Sequence, residues 1–321
     1  MNSIIVTGGY GFIGSNFVSH MVEKYPGISI SIIDSMTYAA DYSNIDDDLP
    51  GVTHYCSDIR DIRTMDKIFK DCTGIDAIFH FAAESHVDNS IDGPDIFIDT
   101  NITGTYNLLE QARKHAIKFI HISTDEVYGD LELDDTNTFT ESNNLKPSSV
   151  YSASKASSDL LVRAYNRTYN IDTIITRCCN NYGPRQHLEK LIPKIITNAL
   201  TYTEIPVYGK GINIREWIHV NDHCRGIEFV YNNGKSGEVY NIGSGIEYSN
   251  IELVKLILSE VAKLTGSDKT KLYKLITYVT DRKGHDLKYA INSNKLQSLG
   301  WKCSRKFNMS DTIQWYQKKN T

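Results

Sequence analysis

No stretch of this chain is apolar for anything near the roughly 20 residues that cross a bilayer, so a membrane-spanning protein is not expected. A positively charged leader is missing too. Asn2 to Thr7 runs straight into a strand pattern, which makes a cytoplasmic protein the expectation. The six cysteines, Cys56, Cys72, Cys178, Cys179, Cys224 and Cys303, have no zinc-type spacing. They read as reduced thiols and imply no metal site. Excess charge of one sign is also lacking: the net charge is −5 over 321 residues, with both signs mixed along the chain. That offers little to nucleic acid or to an anionic membrane. Neither an internal repeat nor a low-complexity tract occurs. What remains, 40% hydrophobic and 23% charged, is the make-up of a globular protein with one large or two moderate domains.

Apolar strand patterns alternate with helical ones through the first half. Ser3 to Thr7 reads as a strand and is followed by Gly8, Gly11 and Gly14, then a helical pattern through Val22. A glycine turn between strand and helix lets a pyrophosphate approach the amides at the helix start. A second strand, Ile28 to Ile33, ends at Asp34, twenty residues past Gly14. An acid there suits the adenosine ribose hydroxyls and repels a 2′-phosphate, so NAD is expected over NADP. Further strands are read at Val52 to Cys56, Ile75 to Phe81, Phe119 to Ile122 and Ile171 to Arg177. Asp58 is a candidate both for capping the helix after the third strand and for facing the adenine. Ala82 and Ala83 leave room for a cofactor, and Pro94 to His115 has a long amphipathic helix pattern. The alternation implies an open parallel α/β sheet.

Two features carry chemistry. Asp125 and Glu126 lie side by side after Thr124, at the carboxyl end of the fifth strand, where such sheets bind ligands. Adjacent carboxyl groups in different surroundings can serve as acid and base. Tyr151 and Lys155 are four apart on a helical pattern, so they share a face. An ammonium beside a phenol lowers the phenol's pKa and makes it a usable base. Past the sixth strand the segments shorten, and Arg185, Lys190, Arg215, Arg282, Lys283 and His285 accumulate, as a phosphate-bearing substrate would require.

With these residues the chain resembles the dTDP-glucose 4,6-dehydratases, nucleotide-sugar enzymes of the extended short-chain dehydrogenase/reductase group. The resemblance runs almost end to end through TGGYGFIGSNFV, FAAESHVDNSI, STDEVYGD, YSASKASSDLLVRAY, NNYGP, EKLIP and DRKGHD. STDEVYG is the specific one, since sugar epimerases of the group keep the tyrosine and lysine but usually lack the acid pair. UDP-glucose 4,6-dehydratases share the pair and stay an alternative, as does a nucleotide-sugar 4-epimerase. Glu84, the uninterrupted Asn180-Asn181-Tyr182-Gly183 and Gly284-His285-Asp286 look like the dTDP branch. Arg185-Gln186-His187-Leu188 and Lys288 depart from its usual pattern. A non-catalytic NAD-binding regulator on the same fold would typically have lost Tyr151, Lys155 or an acid.

The resemblance implies a Rossmann-type doubly wound sheet over residues 1–178. It implies a smaller C-terminal α/β substrate-binding domain over 179–321, with some segments returning to the first. It implies NAD contacts from Gly8, Gly11, Phe12, Ile13 and Gly14, from Asp34, Ser35, Met36 and Thr37, and from Asp58 and Ile59. Phe81, Ala82, Ala83, Ser85, Thr100, Tyr151, Lys155 and Asn180 complete that set. For the sugar nucleotide it implies Ser85, Thr124, Asn181, Lys190, Leu191 and Pro206, with Tyr208, Arg215, Asn250, Arg282 and His285. Its reaction would begin with Tyr151 taking the C4 hydroxyl proton while NAD accepts the hydride and Thr124 steadies the ketone. Glu126 would then remove the C5 proton as Asp125 protonates the departing C6 hydroxyl, and the hydride would return to C6. A homodimer is implied as well, paired through the helices near Pro94 to His115 and Val150 to Tyr169.

Overall fold

The computed structural model describes residues 1–46, 49–281 and 285–319. Its strands are β1 (Ser3–Thr7), β2 (Ser29–Asp34), β3 (Val52–Cys56), β4 (Ala77–His80), β5 (Lys118–Thr124) and β6 (Thr173–Cys178). Then come β7 (Asn180–Tyr182), β8 (Ile205–Tyr208), β9 (Ile214–His219), β10 (Val239–Ile242), β11 (Glu247–Ser249) and β12 (Ile276–Val279). Seven of them form one parallel sheet in the order β10-β6-β5-β4-β1-β2-β3. Helices cover both faces, so the middle strands read as unbroken apolar runs; Ile4, Ile5 and Val6 are fully buried.

From β1 the chain winds outward to β2 and β3, then returns to build β4, β5 and β6 on the other side. The strand order therefore reverses between β1 and β4, and the crevice at their carboxyl ends is the place for a ligand. His80 ties that junction together, its Nδ1 hydrogen bonded to the Thr7 hydroxyl at 2.8 Å. The six strands expected from periodicity are present within a few residues of their bounds. The seventh, β10, comes from beyond residue 178 and pairs with β6 at the sheet edge.

Later segments build two small sheets, β11-β9-β7 and β12-β8. These pack with the Leu191–Leu200 and Asn250–Thr265 helices around Ile195, Trp217, Leu253 and Ile257. Residues 130–149 lack helix or extended strand, as their polar, aperiodic sequence predicts. The helix expected over 94–115 is not continuous. A π-helical stretch, Ile98–Gly104, interrupts it before Thr105–His115. That wider turn aims Asn101 inward, where Oδ1 accepts from the Glu84 amide at 2.9 Å and Nδ2 donates to Ser154 Oγ at 2.8 Å. Among the described residues no helix is long and apolar enough to cross a membrane.

Candidate active site

The carboxyl end of β5 runs directly into a tight 3₁₀ turn, Asp125–Tyr128. Thr124 caps it, its hydroxyl accepting from the Glu126 amide at 3.3 Å and donating to Asp125 Oδ1 at 3.3 Å. Local sequence thus sets both acids on one turn at the sheet edge. Opposite them starts the Val150–Tyr169 helix, fixed at its first turn by a capping box between Ser149 and Ser152. Tyr151 and Lys155 lie on that helix's buried side. Thr124 is near enough to the Tyr151 hydroxyl to favour its ionised form. Lys155 Nζ donates to the Ile122 carbonyl at 2.8 Å. All five side chains line one cavity of about 670 Å³ at the reversal of strand order.

Their protonation follows from burial. Asp125 is only 2% exposed, and among the described residues its Oδ2 has no hydrogen-bond partner. Loss of water, then the neighbouring Glu126 and Glu216 carboxyl groups, push its pKa well above the ordinary carboxylate range. Asp125 is therefore biased toward its protonated, proton-donating form. Lys155 is brought down to about 8 by burial, with Asp159 opposing the fall. The phenol of Tyr151 departs from the sequence-based expectation: burial, then Glu126, push it well above its usual value. The Lys155 ammonium, tied to the Ile122 carbonyl, does not offset that rise in the free chain.

The other end of the cavity fits a dinucleotide. Gly8 has φ +70°, and a Cβ there would stand 2.7 Å from the Ala82 amide nitrogen. At Gly14 a Cβ would come within 2.1 Å of the Gly8 carbonyl oxygen. Only glycine lets β1, its turn and the Phe12–Lys24 helix close into this cradle, with helix amides facing the cavity. Asp34 sits at the tip of β2, its carboxylate accepting from the Tyr10 and Met36 amides, each at 2.9 Å.

The family model for GDP-mannose 4,6 dehydratase matches residues 5–311. The dTDP-glucose 4,6-dehydratase 1 of Escherichia coli K12 is 46% identical over 98% of this chain and 92% of that protein. The chain belongs to the dTDP-glucose 4,6-dehydratase family. Among solved structures, DesIV, the dTDP-glucose 4,6-dehydratase of Streptomyces venezuelae crystallised with NAD and TYD, superposes with a TM-score of 0.91. It is 44% identical, covering 99% of this chain and 98% of that one. The Bacillus anthracis enzyme in complex with NAD has a TM-score of 0.89 at 42% identity, covering 100% of this chain and 98% of its own.

Nearly every residue singled out in the sequence faces this cavity. From the dinucleotide set these are the three motif glycines with Phe12 and Ile13, then Asp34, Ser35, Thr37, Asp58, Ile59, Phe81, Ala82, Ala83, Ser85, Thr100 and Asn180. From the sugar-nucleotide set, Asn181, Lys190, Leu191, Pro206, Tyr208, Arg215, Asn250 and His285 line it as well. Arg282 lies outside the described residues. Met36 is the exception: its side chain packs on the core, and its amide holds Asp34. Asp58 is not the helix cap either. Asp61 caps that helix, whereas Asp58 pairs with the Arg60 guanidinium at 2.6 Å.

Arg215 lies over the Tyr289 ring at 4.2 Å and donates to the Ile214, Asp286 and Leu287 carbonyls. Those bonds aim the guanidinium and leave part of its five-donor fork for a phosphate. Lys190 Nζ reaches the Ser85 carbonyl at 3.0 Å, joining the two halves of the cavity wall. Sequence reasoning missed Trp217, Gln186 and Glu189, which also face the cavity. Gln186 and Glu189 come from an irregular segment where periodicity gives no bearing, and Trp217 from the short strand β9, which the sequence pattern did not reveal. Asn101 was missed as well, although a polar residue on the buried side of an amphipathic pattern was a readable signal.

Proposed function

We propose that this chain converts dTDP-glucose to dTDP-4-keto-6-deoxyglucose, with NAD as a cofactor that is regenerated within each turnover. The observation that carries this reading is the carboxyl pair. A buried Asp125, its pKa raised by loss of water, stands beside Glu126 in the same cavity as Tyr151 and Lys155. Oxidation at C4 requires only the phenol and lysine; expelling water also requires an acid and a base.

When bound, NAD would take up and give back the sugar's hydride and would add a positive charge to the cavity that holds the phenol. Tyr151 accepts the C4 hydroxyl proton, its anion favoured by that charge and by the Lys155 ammonium. Thr124, already bonded to Asp125 and close to Tyr151, holds the oxygen at C4. With a ketone at C4 the C5 proton is acidic. Glu126 removes it, and Asp125 gives its proton to the C6 hydroxyl so that water departs. Glu126 then returns a proton to C5. Arg215 binds the pyrophosphate, and the glycine cradle with Asp34 orients the dinucleotide.

Separate incubations with dTDP-glucose and UDP-glucose test the assignment, read by mass spectrometry of the product. Loss of one water from dTDP-glucose, with no net change in cofactor, is expected. A product of unchanged mass would mean an epimerase, and turnover of UDP-glucose alone would move the chain to the UDP branch.

The same reading makes the protein a cytoplasmic homodimer in deoxysugar biosynthesis. Tyr106, Leu160 and Tyr169 lie at least 45% exposed on the Thr105–His115 and Val150–Tyr169 helices, a surface suited to a second copy. Light scattering should return twice the mass of one chain, and Leu160→Glu should halve it.

A further inference from the structure

One helical turn beyond Lys155, below the cavity floor, lies a cluster of ionisable side chains that the reaction above does not use. Asp159, Arg177 and His121 are each at most 1% exposed. Arg177 Nε donates to Asp159 Oδ2 at 2.8 Å. Asp159 Oδ1 stands 3.4 Å from His121 Nε2, and among the described residues it accepts no hydrogen bond. Arg177 is held from its other side by the Tyr128 ring, 4.7 Å away. The cluster links β5, β6 and the Val150–Tyr169 helix.

Stability alone is a poor reason for such an arrangement. A buried ion pair is commonly matched or bettered by apolar residues of similar size. Charge balance offers a better one. Lys155 and Asp159 are four apart on one helix, which brings their Cβ atoms to about 5–6 Å. An ammonium taken out of water sheds its proton unless a carboxylate is near. The other groups facing Lys155 do not supply that charge. Burial favours the protonated form of Asp125 and lifts the Cys178 thiol to about 12. His80 from β4 and His121 from β5 are kept neutral by burial, and Arg177 from β6 is a cation. Glu126 acts on Tyr151.

We infer that Asp159 is a positioning residue for the reaction: clamped by Arg177, its carboxylate keeps Lys155 in the ammonium form that Tyr151 needs. The inference rests on the dehydratase reading only for the role given to Tyr151. Burial takes Lys155 down to about 8, and Asp159 is the first group that resists the fall.

The test is the pH profile of the first cofactor reduction in a single turnover with dTDP-glucose. Asp159→Asn keeps an oxygen for Arg177 but removes the charge. Its alkaline limb should move down by about one pH unit or more, a tenfold loss of rate on that limb for each unit. Arg177→Gln removes a cation and leaves the carboxylate, so its limb should move up. Asp159→Glu should restore the wild-type limb. A purely structural role would scale the rates without moving either limb, and that result would overturn the inference.

Should the variants not fold, the wild-type chain decides. The ε-methylene of Lys155, observed by NMR after lysine labelling and assigned with Lys155→Arg, should titrate near pH 8. Loss of its proton below neutral pH would refute the role of Asp159. Absence of cofactor reduction by the wild type at any pH would instead strike at the dehydratase reading.

Discussion

Tyr151→Phe should lose cofactor reduction by about a thousandfold or more, within the range spanned by a removed general base. The ring stays in place, since Tyr151 is 9% exposed and packs edge-on against Phe97 at 6.4 Å. Only the hydroxyl goes, which faces Thr124. Thermal stability should therefore change little, and the effect should fall on chemistry. The loss is expected to be severe because the two groups nearest in role are poor substitutes: burial biases Asp125 toward its protonated form, and Lys155 is an ammonium bonded to the Ile122 carbonyl. Stopped-flow absorbance of reduced nicotinamide during one turnover is the measurement. A normal signal would remove Tyr151 from the role of base.

The raised phenol has a consequence for the same experiment. Burial and Glu126 oppose ionisation, so the phenolate forms only when positive charge is present beside it. The wild-type chain should accordingly abstract the proton in the ternary complex and not before. Mutual dependence of cofactor and substrate, seen as no phenolate absorbance in the free enzyme at neutral pH, is the expected signature.

Asp125→Asn should give the opposite pattern: reduced cofactor forms at near its normal rate and then accumulates. The carboxamide occupies the same volume and can keep the bond from Thr124, so the tyrosine and lysine are undisturbed. It has no proton to give the C6 hydroxyl. Water loss should slow by about a hundredfold to ten-thousandfold. The acid role depends on burial: the pKa of Asp125 is raised because a carboxylate there would be dry and beside Glu126 and Glu216. Mass spectrometry of quenched samples should find the 4-keto sugar before dehydration. Normal turnover by this variant would transfer the acid role to another group.

The contrast between the two carboxyl groups also marks the limit of sequence reading. Asp125 and Glu126 are adjacent, and their position after an apolar strand is visible in the order of residues. Which one keeps its proton is not. Asp125 turns into a space closed off from water by residues far away in the chain, and Glu216 belongs to β9. The same holds for Tyr151 and Lys155. Their spacing announces a shared helix face, whereas the Ile122 carbonyl that captures the ammonium comes from the fifth strand.

Sequence by itself determined the elements whose causes are local. Apolar runs made the first six strands, glycines at Gly8 and Gly14 made the cradle, and adjacent acids made the turn after β5. Each depends on neighbours a few residues apart, so order along the chain carries the information. Tertiary structure alone decided the rest: that β10 completes the large sheet, that Asn101 turns inward on a π-helical stretch, and that Trp217 faces the cavity. It also decided the protons. A pKa depends on how much water and which charges surround a group in space, and distance along the chain says little about either.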